Sequence, residues 1–271
     1  MTMVFGCQTY TWQMSYAKYN DRLSSILNIV GRAGFRGVEA EVCMLGRFYD
    51  DPSLLKEELL ARGLELSALT LAEPWLGLRE TEEEKTNADR LIQYLSHFPS
   101  AKLILVQLPG KDRSRLLERQ QSAISCANTV AKRAWETAGL VCAYHPNSPT
   151  GSVFRSEEDY KVMFEGLDYR YIGYCPDSGH IARGGMDVLE VFRTQLSRIK
   201  HVHYKDFDLV SREWRTMGRG SLPHKDVTEL LRRHDYDGWI MVEEESAFAE
   251  AEPDQATLEN GAYVNRELIV P

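Results

Sequence analysis

The stretch YIGYCPDSGHIARGGMDVLEVFRTQLSRIKHVHYKD, residues 171–206, contains two short apolar runs separated by an amphipathic segment. The runs at Tyr171–Pro176 and Ile199–Lys205 have the length of buried β-strands. The amphipathic segment between them predicts a helix at Met186–Leu196. A strand, a helix and a second strand in this order predict one βα repeat of a parallel sheet.

The same alternation continues in both directions along the chain. Each short apolar run after the first follows a longer amphipathic segment, as a βα repeat requires. The eight predicted strands are Met3–Tyr10, Gly37–Glu41, Leu64–Leu71, Lys102–Leu108, Leu140–Tyr144, Tyr171–Pro176, Ile199–Lys205 and Trp239–Glu243.

Helical spacing and helix-end signals support the intervening helices. Thr81 and Glu84 have the spacing of a capping box, and Gly34, Gly63 and Gly139 stand where helices are expected to end. The predicted helices are Leu23–Ala33, Asp51–Arg62, Thr81–His97, Arg113–Ala138, Glu157–Glu165, Met186–Leu196 and His224–His234.

Eight βα units predict an α/β fold closed as a (β/α)8 TIM barrel, with residues 1–271 forming one domain. The alternative is an open, doubly wound sheet, which usually carries a glycine-rich phosphate loop after its first strand. Here the first strand continues into QTYTWQM, residues 8–14, and neither GxGxxG nor GxxxxGK[ST] occurs in the chain. The sequence therefore gives no support to nucleotide binding.

Composition and charge narrow the class of protein. The chain is 43% hydrophobic and 27% charged, which is typical of globular proteins, and its net charge of −8 opposes nucleic-acid binding. No apolar run approaches the roughly 20 residues that cross a bilayer, and MTMVFGCQTYTW lacks the pattern of a signal peptide. The five cysteines show no CxxC spacing and suit reduced, buried thiols. We expect a soluble, cytoplasmic protein without a membrane partner.

Polar residues cluster where the last strands end. In a TIM barrel the functional site lies at the carboxyl ends of the strands, so this position matters more than others. Four of the seven histidines fall in these segments. The segments are YHPN with His145, PDSGH with Asp177 and His180, HVHYKD with His201, His203 and Lys205, and VEEE with Glu243.

Imidazole and carboxylate groups converging from separate strands are the donors that a divalent ion needs, and no thiolate accompanies them. Asp177, His203 and Glu243 are the three predicted ligands, with His145 as the fourth. Mn²⁺ or Co²⁺ is the expected ion, and Zn²⁺ and Mg²⁺ are the alternatives. His201 lies deeper on the strand of His203, where a structural role is expected.

Two residues beside these ligands are candidates for acid–base work. Lys205 lies one step further out than His203, where it could act as an acid or contact a developing negative charge; a salt bridge to a nearby carboxylate is the alternative. His180 follows Asp177 by three residues, so it can reach a substrate while the aspartate holds an ion.

Further polar and aromatic residues near strand ends suit recognition of hydroxyl groups or of a sugar ring. For these positions, roles at the solvated rim or in core packing are equally open. The substrate-binding candidates are Glu41 (or its neighbour Glu39), Glu73, Gln107, Asn147 and Trp12, with Tyr10 and Trp75 as further aromatic candidates. The glycines of MGRGSLP, residues 217–223, suit either a phosphate-binding loop before a helix or a plain turn.

Five motifs in order resemble the xylose isomerase-like barrel superfamily of sugar isomerases, epimerases and keto-sugar dehydratases. The resemblance implies a TIM barrel with one divalent ion bound at the ends of strands five to eight, here by His145, Asp177, His203 and Glu243. The motifs are GFRGVE at 34–39, YHPN at 144–147, DSGH at 177–180, HVHYKD at 201–206 and YDGWIMVE at 236–243.

The chain departs from many of these relatives at strand five, where it has His145 in place of a glutamate. Epimerases of the superfamily use two metal-bound glutamates, and one of that pair is missing here. TyrHis at this strand end resembles the inosose dehydratase branch, which eliminates water from a keto-inositol, and related lyases that act on 3-keto glycosides.

The resemblance implies removal of the proton next to a ketone polarised by the metal, followed by β-elimination. His145 or His180 would move the proton, and Lys205 or the other histidine would help the hydroxyl to leave. The implied partner is a small keto-sugar or keto-inositol, and the family also suggests a homo-oligomer.

Three other functions stay open at the level of sequence. A ketose epimerase or isomerase of the same superfamily is the first, and a non-catalytic sugar-binding barrel is the second. An apurinic endonuclease of the superfamily would need further metal-binding histidines on earlier strands, and the chain has no histidine before His97.

Overall fold

Eight parallel strands form the centre of the molecule in the computed structural model, which describes residues 3–269. That residues 1–271 form one domain stays a prediction, and its first two and last two residues lie outside the described range. The parallel strands are β1 Val4–Gln8, β2 Gly37–Glu41, β3 Glu65–Glu73, β4 Lys102–Gln107, β5 Cys142–Tyr144, β6 Ile172–Tyr174, β7 Val202–Tyr204 and β10 Trp239–Val242. The short strands β8 Asp206–Asp208 and β9 Glu213–Arg215 form a separate antiparallel hairpin after β7.

The parallel strands close into a barrel. Their order is β6-β5-β4-β3-β2-β1-β10-β7, which leaves β6 and β7 at the two edges. Parallel bridges of Tyr174 with Ile199 and of Asp177 with His203 join these edges. The N–H of His203 donates to the carbonyl of Pro176 at 2.9 Å within this seam. The predicted (β/α)8 TIM barrel is confirmed, and the open doubly wound alternative is wrong.

Helices follow the strands as the sequence predicts, although their ends shift by a few residues. In the described part of the chain, five further helices were not predicted, at Tyr10–Gln13, Tyr16–Tyr19, Ser178–Arg183, Ala247–Ala251 and Pro253–Glu267. The helices are α1 Tyr10–Gln13, α2 Tyr16–Tyr19, α3 Leu23–Arg32, α4 Pro52–Leu60, α5 Glu82–Leu95, α6 Leu116–Ala138, α7 Glu157–Gly166, α8 Ser178–Arg183, α9 Val188–Gln195, α10 His224–Arg233, α11 Ala247–Ala251 and α12 Pro253–Glu267. Short 3₁₀ turns occupy Val42–Met44, Gly46–Phe48 and Leu196–Arg198.

The predicted helix-end signals are present. The N–H of Thr81 donates to Glu84 at 2.7 Å and the N–H of Glu84 donates to the Thr81 hydroxyl at 3.2 Å, which completes the capping box of α5. Gly34, Gly63 and Gly139 have φ values of 87°, 63° and 62°. These left-handed conformations favour glycine, so the three residues end their helices and turn the chain towards the next strand.

The main apolar core lies between the barrel and its surrounding helices, and a second, small apolar cluster of Ala68, Ile104, Ala143 and Cys175 is buried apart from it. Of these four residues, Ile104 also lines the cavity described below. Among residues 3–269, no helix combines the length and the apolar character that crossing a membrane requires.

Candidate metal centre

Four buried side chains with metal-ligand chemistry meet at the carboxyl ends of four strands. His145 follows β5, Asp177 precedes α8 after β6, His203 lies in β7, and Glu243 follows β10. One donor atom from each lies within 4.8 Å of those of the other three. The structure thus brings together all four residues of the predicted ligand set, and their role as ligands stays a prediction.

The centre of this cluster contains buried polar atoms of the kind that bind a cation. Within residues 3–269, neither ring nitrogen of His145 has a hydrogen-bond partner, and neither does Oδ2 of Asp177. His145 Nε2 lies 3.6 Å from that oxygen. Burying unpaired polar atoms is costly unless something pairs with them. Two imidazoles and two carboxylates without thiolate fit a divalent cation such as Mn²⁺, Co²⁺ or Zn²⁺.

The local sequence PDSGH, residues 176–180, fixes the orientation of the Asp177 carboxylate. Asp177 is the N-cap of α8, and its Oδ1 accepts from the backbone N–H of His180 at 2.7 Å. This bond satisfies one of the unpaired amides of the first helical turn. Because Oδ1 is held by the helix, Oδ2 is left facing His145.

His203 is held at both ring nitrogens. Nδ1 lies 2.9 Å from Oε2 of Glu243, and Nε2 lies 2.9 Å from Oε2 of Glu39, which is fully buried. Burial alone would lower the pKa of His203, but the charge of Glu39 helps to hold it well above its ordinary value. Burial would likewise raise the pKa of Glu39, but His203 and His201 hold it well below its usual range.

Lys205 is a fully buried cation beside the same cluster. Its Nζ donates to Oε1 of Glu243 at 2.8 Å and to Glu245, and lies 3.6 Å from Oδ2 of Asp177. Burial opposes the charge, but these three carboxylates hold the pKa of Lys205 well above its usual range. The salt-bridge alternative predicted for Lys205 is therefore present in the structure.

His180 lies on the other side of Lys205. Its Nε2 is 3.3 Å from Lys205 Nζ, and its Nδ1 is 2.9 Å from the hydroxyl of Ser148. Burial, followed by the charge of Lys205, lowers the pKa of His180 to about 3. The imidazole is therefore neutral at neutral pH, with Nε2 presenting a lone pair towards the lysine.

A cavity of about 360 Å³ opens beside these groups. Its lining includes the substrate-binding candidates Glu41 and Asn147, whose binding role stays a prediction, and the aromatic candidate Tyr10. Glu41 accepts from Gln8 Nε2 at 2.7 Å. Burial, followed by repulsion from Glu243, raises the pKa of Glu41 to about 8. The other lining residues are Gln8, Gln13, Thr70, Ala72, Ile104, Val106, Leu108, Pro109, His145, Pro149, His180, His203, Glu243 and Glu245.

Three predicted substrate-binding residues do not line this cavity. Trp12 is fully buried and its indole N–H donates to Asp254 at 2.8 Å, because the short helix α1 turns it towards α12. Glu73 accepts from Asn87 at 2.9 Å, and Gln107 donates to the carbonyl of Pro74 at 3.1 Å. Trp75 is also fully buried. These side chains serve packing and loop contacts, which were the alternatives considered for them.

Some residues at the site were not singled out from the sequence. Glu245 extends the acidic run that begins at Glu243, and that run was the available signal for it. Trp214 lies on the unpredicted β8–β9 hairpin, where its ring centre is 5.6 Å from that of His180 and 5.2 Å from Lys205 Nζ. Trp214 does not follow one of the eight parallel strands, because the hairpin lies between β7 and α10, so its place along the chain provided no signal.

The backbone N–H groups of the glycine loop 217–223 bind a carboxylate of the protein itself, that of Asp206. The N–H groups of Gly218 and Gly220 donate to Oδ2 of Asp206 at 2.8 and 2.9 Å, and the N–H of Leu222 lies 3.4 Å from Oδ1. The carboxylate occupies the backbone donors that a phosphate would need. The plain-turn alternative therefore describes this loop, and the phosphate-binding alternative does not.

Comparisons with known proteins agree with this fold. The family model described as xylose isomerase-like TIM barrel matches residues 27–263. An inosose dehydratase from Bacillus velezensis is 27% identical over 276 residues, which cover 92% of this chain and 90% of the dehydratase.

Two solved structures show the same fold at lower identity. The crystal structure of the IOLI protein with a bound zinc atom has a TM-score of 0.75 at 15% identity, covering 98% of each chain. D-psicose 3-epimerase from Clostridium cellulolyticum H10, solved with D-tagatose, has a TM-score of 0.75 at 15% identity, covering 97% of each chain. Because the family model spans most of the chain, this protein belongs to the xylose isomerase-like TIM barrel family.

Proposed function

We propose that this chain is a metal-dependent dehydratase that removes water from a keto-inositol or a related keto-sugar. The observation that carries the proposal is the convergence of His145, Asp177, His203 and Glu243 beside the Lys205–His180 pair. The likeness to inosose dehydratases over most of the chain supports the same substrate class. Small-molecule sites usually measure about 300–1,000 Å³. The cavity of about 360 Å³ is near the lower limit, which favours a substrate of one ring.

The four ligand-type residues would hold one divalent ion. A bound divalent ion supplies Lewis-acid charge that makes the C–H next to a ketone more acidic. We assign His145 to this set rather than to proton transfer, because its unpartnered Nε2 lies 3.6 Å from the unpartnered Oδ2 of Asp177. The ion is Mn²⁺, Co²⁺, Zn²⁺ or Mg²⁺, and the zinc in the related IOLI structure keeps zinc among these choices.

His180 and Lys205 are suited to the two proton transfers of an elimination. Once the Lys205 ammonium turns from Nε2 of His180 towards the β-hydroxyl, the lone pair of the neutral imidazole can take the proton from the carbon next to the ketone. The Lys205 ammonium gives a proton to the departing β-hydroxyl, which leaves as water. The proton on His180 then passes to Lys205 across the 3.3 Å contact, so both groups return to their starting states.

The reaction is tested with purified protein, each of the four metal ions, and a panel of keto-inositols and 3-keto glycosides. Loss of water, seen by NMR and by the absorbance of an enone or diketone, supports the proposal. An epimeric sugar that carries solvent deuterium without loss of water would instead show an epimerase. Metal binding without turnover of any substrate would favour a non-catalytic sugar-binding barrel.

The assembly and cellular setting are secondary parts of the proposal. A cytoplasmic role in inositol catabolism follows from the proposed substrate, and a homo-oligomer is suggested by the family alone. Light scattering of the purified chain measures its oligomeric state. Growth of the source organism on inositol, with and without this protein, tests the metabolic role.

A further inference from the structure

A buried carboxylate outside the predicted ligand set contacts the candidate centre from across the barrel. Glu39 lies on β2, whereas His203 lies on β7, and β1 and β10 separate these strands in the sheet. Glu39 Oε2 is nonetheless 2.9 Å from Nε2 of His203. The contact therefore crosses the barrel interior and does not arise from neighbouring strands.

The Glu39 carboxylate is itself held in one orientation. Oε2 also lies 2.7 Å from Nε2 of His201, and Oε1 accepts from the hydroxyl of Thr70 at 2.9 Å. Glu39 and His201 are fully buried, and His203 and Thr70 are nearly so. A carboxylate with three bonds and no contact with water has little freedom to turn away from His203.

This arrangement decides which nitrogen of His203 faces the centre. A carboxylate is an acceptor, so Glu39 requires a proton on Nε2 of His203. When an ion takes the place of the proton on Nδ1, the nitrogen that lies 2.9 Å from Glu243, the lone pair of the neutral ring is on that nitrogen. Metal-binding histidines commonly donate their other N–H to a carboxylate, which fixes the tautomer and the ring orientation.

We infer that Glu39 is a positioning residue that fixes the tautomer and ring orientation of His203 for metal binding, without binding the ion itself. The inference rests on the proposed function, because it requires an ion at His203. The distances of 2.7 and 2.9 Å from Glu39 to the two imidazoles are direct hydrogen bonds. His201 gains a role as the second donor that holds Glu39.

The experiment measures the Mn²⁺ dissociation constant and stoichiometry of the full-length chain by calorimetry and elemental analysis. Glu39→Gln keeps the size of the side chain but removes its negative charge, so the N–H groups of His201 and His203 lose a carboxylate acceptor and keep at most the weaker bond to a neutral amide oxygen. We expect an affinity about 10–100-fold weaker, the usual loss when a ligand's outer partner is removed. The wild type and the variant should each bind one ion at saturation.

Glu84→Gln is the matched control. Glu84 is also a buried glutamate, but it accepts from the N–H groups of Trp75 and Thr81 at the start of α5. This variant should melt at a lower temperature with an unchanged Mn²⁺ affinity. A general loss of stability would therefore not imitate the expected result.

Three outcomes would overturn the inference. An unchanged Mn²⁺ affinity in Glu39→Gln would overturn the inference but not the proposed function. The same holds if the wild-type chain binds two ions and the variant loses one, because Glu39 would then be a ligand. No Mn²⁺ binding by the wild type, repeated with Co²⁺ and Zn²⁺, would overturn the proposed function as well.

If Glu39→Gln does not fold, the same affinity measurement is made on Thr70→Val. It removes one hydrogen bond from Glu39 and should weaken Mn²⁺ binding by about 2–10-fold, the equivalent of a typical hydrogen bond. An unchanged affinity would contradict the inference.

Discussion

The ammonium nitrogen of Lys205 lies 3.3 Å from Nε2 of His180, and both side chains are buried, with His180 lining the cavity. A cation and a neutral imidazole at this distance form a pair that can hold one proton between them. The lysine is kept charged by Glu243 and Glu245, while the same charge helps to keep the histidine neutral. The low pKa of His180 makes it a weak base, so the proposed reaction depends on a C–H acidified by the ion.

The first prediction separates proton transfer from metal binding. His180→Asn and Lys205→Met should each lower kcat by about 10²–10⁴-fold, the usual contribution of a general acid or base. Neither residue belongs to the predicted ligand set, so the purified variants should retain wild-type metal content. Steady-state kinetics and elemental analysis on the same samples measure both quantities. A variant with full activity would remove that residue from the mechanism.

The position of this pair also predicts the stereochemistry of the elimination. The proposed acid and base are adjacent, so they approach the substrate from the same side. Proton removal and hydroxyl departure should therefore occur from the same face of the ring, as a syn elimination. A substrate deuterated stereospecifically at the carbon next to the ketone tests this by NMR of the product. Loss of the label from the face opposite the departing hydroxyl would contradict the pairing of His180 with Lys205.

A third prediction concerns the ligand Asp177. Asp177→Asn keeps an oxygen that can accept from the His180 N–H and so preserves the cap of α8. It removes the negative charge offered to the ion, and we expect metal affinity to fall by more than 100-fold, together with activity. Mn²⁺ at about 100 times its Kd should stabilise the wild type by about 2.7 kcal/mol, and the variant much less. Thermal melts with and without Mn²⁺ check this, and equal stabilisation of both proteins would argue against Asp177 as a ligand.

Much of the fold and of the candidate centre could be predicted from local patterns. The period of the apolar runs indicates eight βα units, and the barrel places the ends of the last strands on one face, so Asp177 and His203 could be grouped without coordinates. The xylose isomerase-like family match confirms the resemblance stated from the motifs. Each of these inferences depends on residues close together in sequence or on a repeated unit.

The remaining features depend on contacts that sequence spacing does not record. Glu39 and Glu41 point to the same face of β2, yet Glu39 binds His203 and His201 while Glu41 faces the cavity. Trp12 is a substrate-binding candidate from the sequence, with core packing as the alternative, but the unpredicted α1 turns its indole to Asp254. Cross-barrel contacts and inserted short elements decide these positions.

The last prediction uses Glu41 in metal-free protein. Its pKa is raised from 4.5 to about 8 on folding, first by burial and then by Glu243. Between these two pH values the native state keeps a proton that the unfolded chain releases, so this group makes the native state less stable as pH rises from about 4.5 to about 8. The glutamine of Glu41→Gln is neutral at every pH, so the variant does not have this pH-dependent loss of stability. The variant should therefore gain stability relative to the wild type between pH 5 and pH 8.

Urea unfolding in the presence of a chelator at pH 5 and pH 8 gives the four free energies of unfolding that this comparison needs. At each pH the free energy of unfolding of the wild type is subtracted from that of the variant. Glu244, Glu245 and His180 titrate in both proteins, so their contributions cancel in this difference. A difference that grows with pH supports a protonated Glu41 at the cavity, where it can donate a hydrogen bond to a substrate oxygen. A difference equal at both pH values would show that Glu41 ionises as an ordinary glutamate, and it would then act at the cavity only as an acceptor.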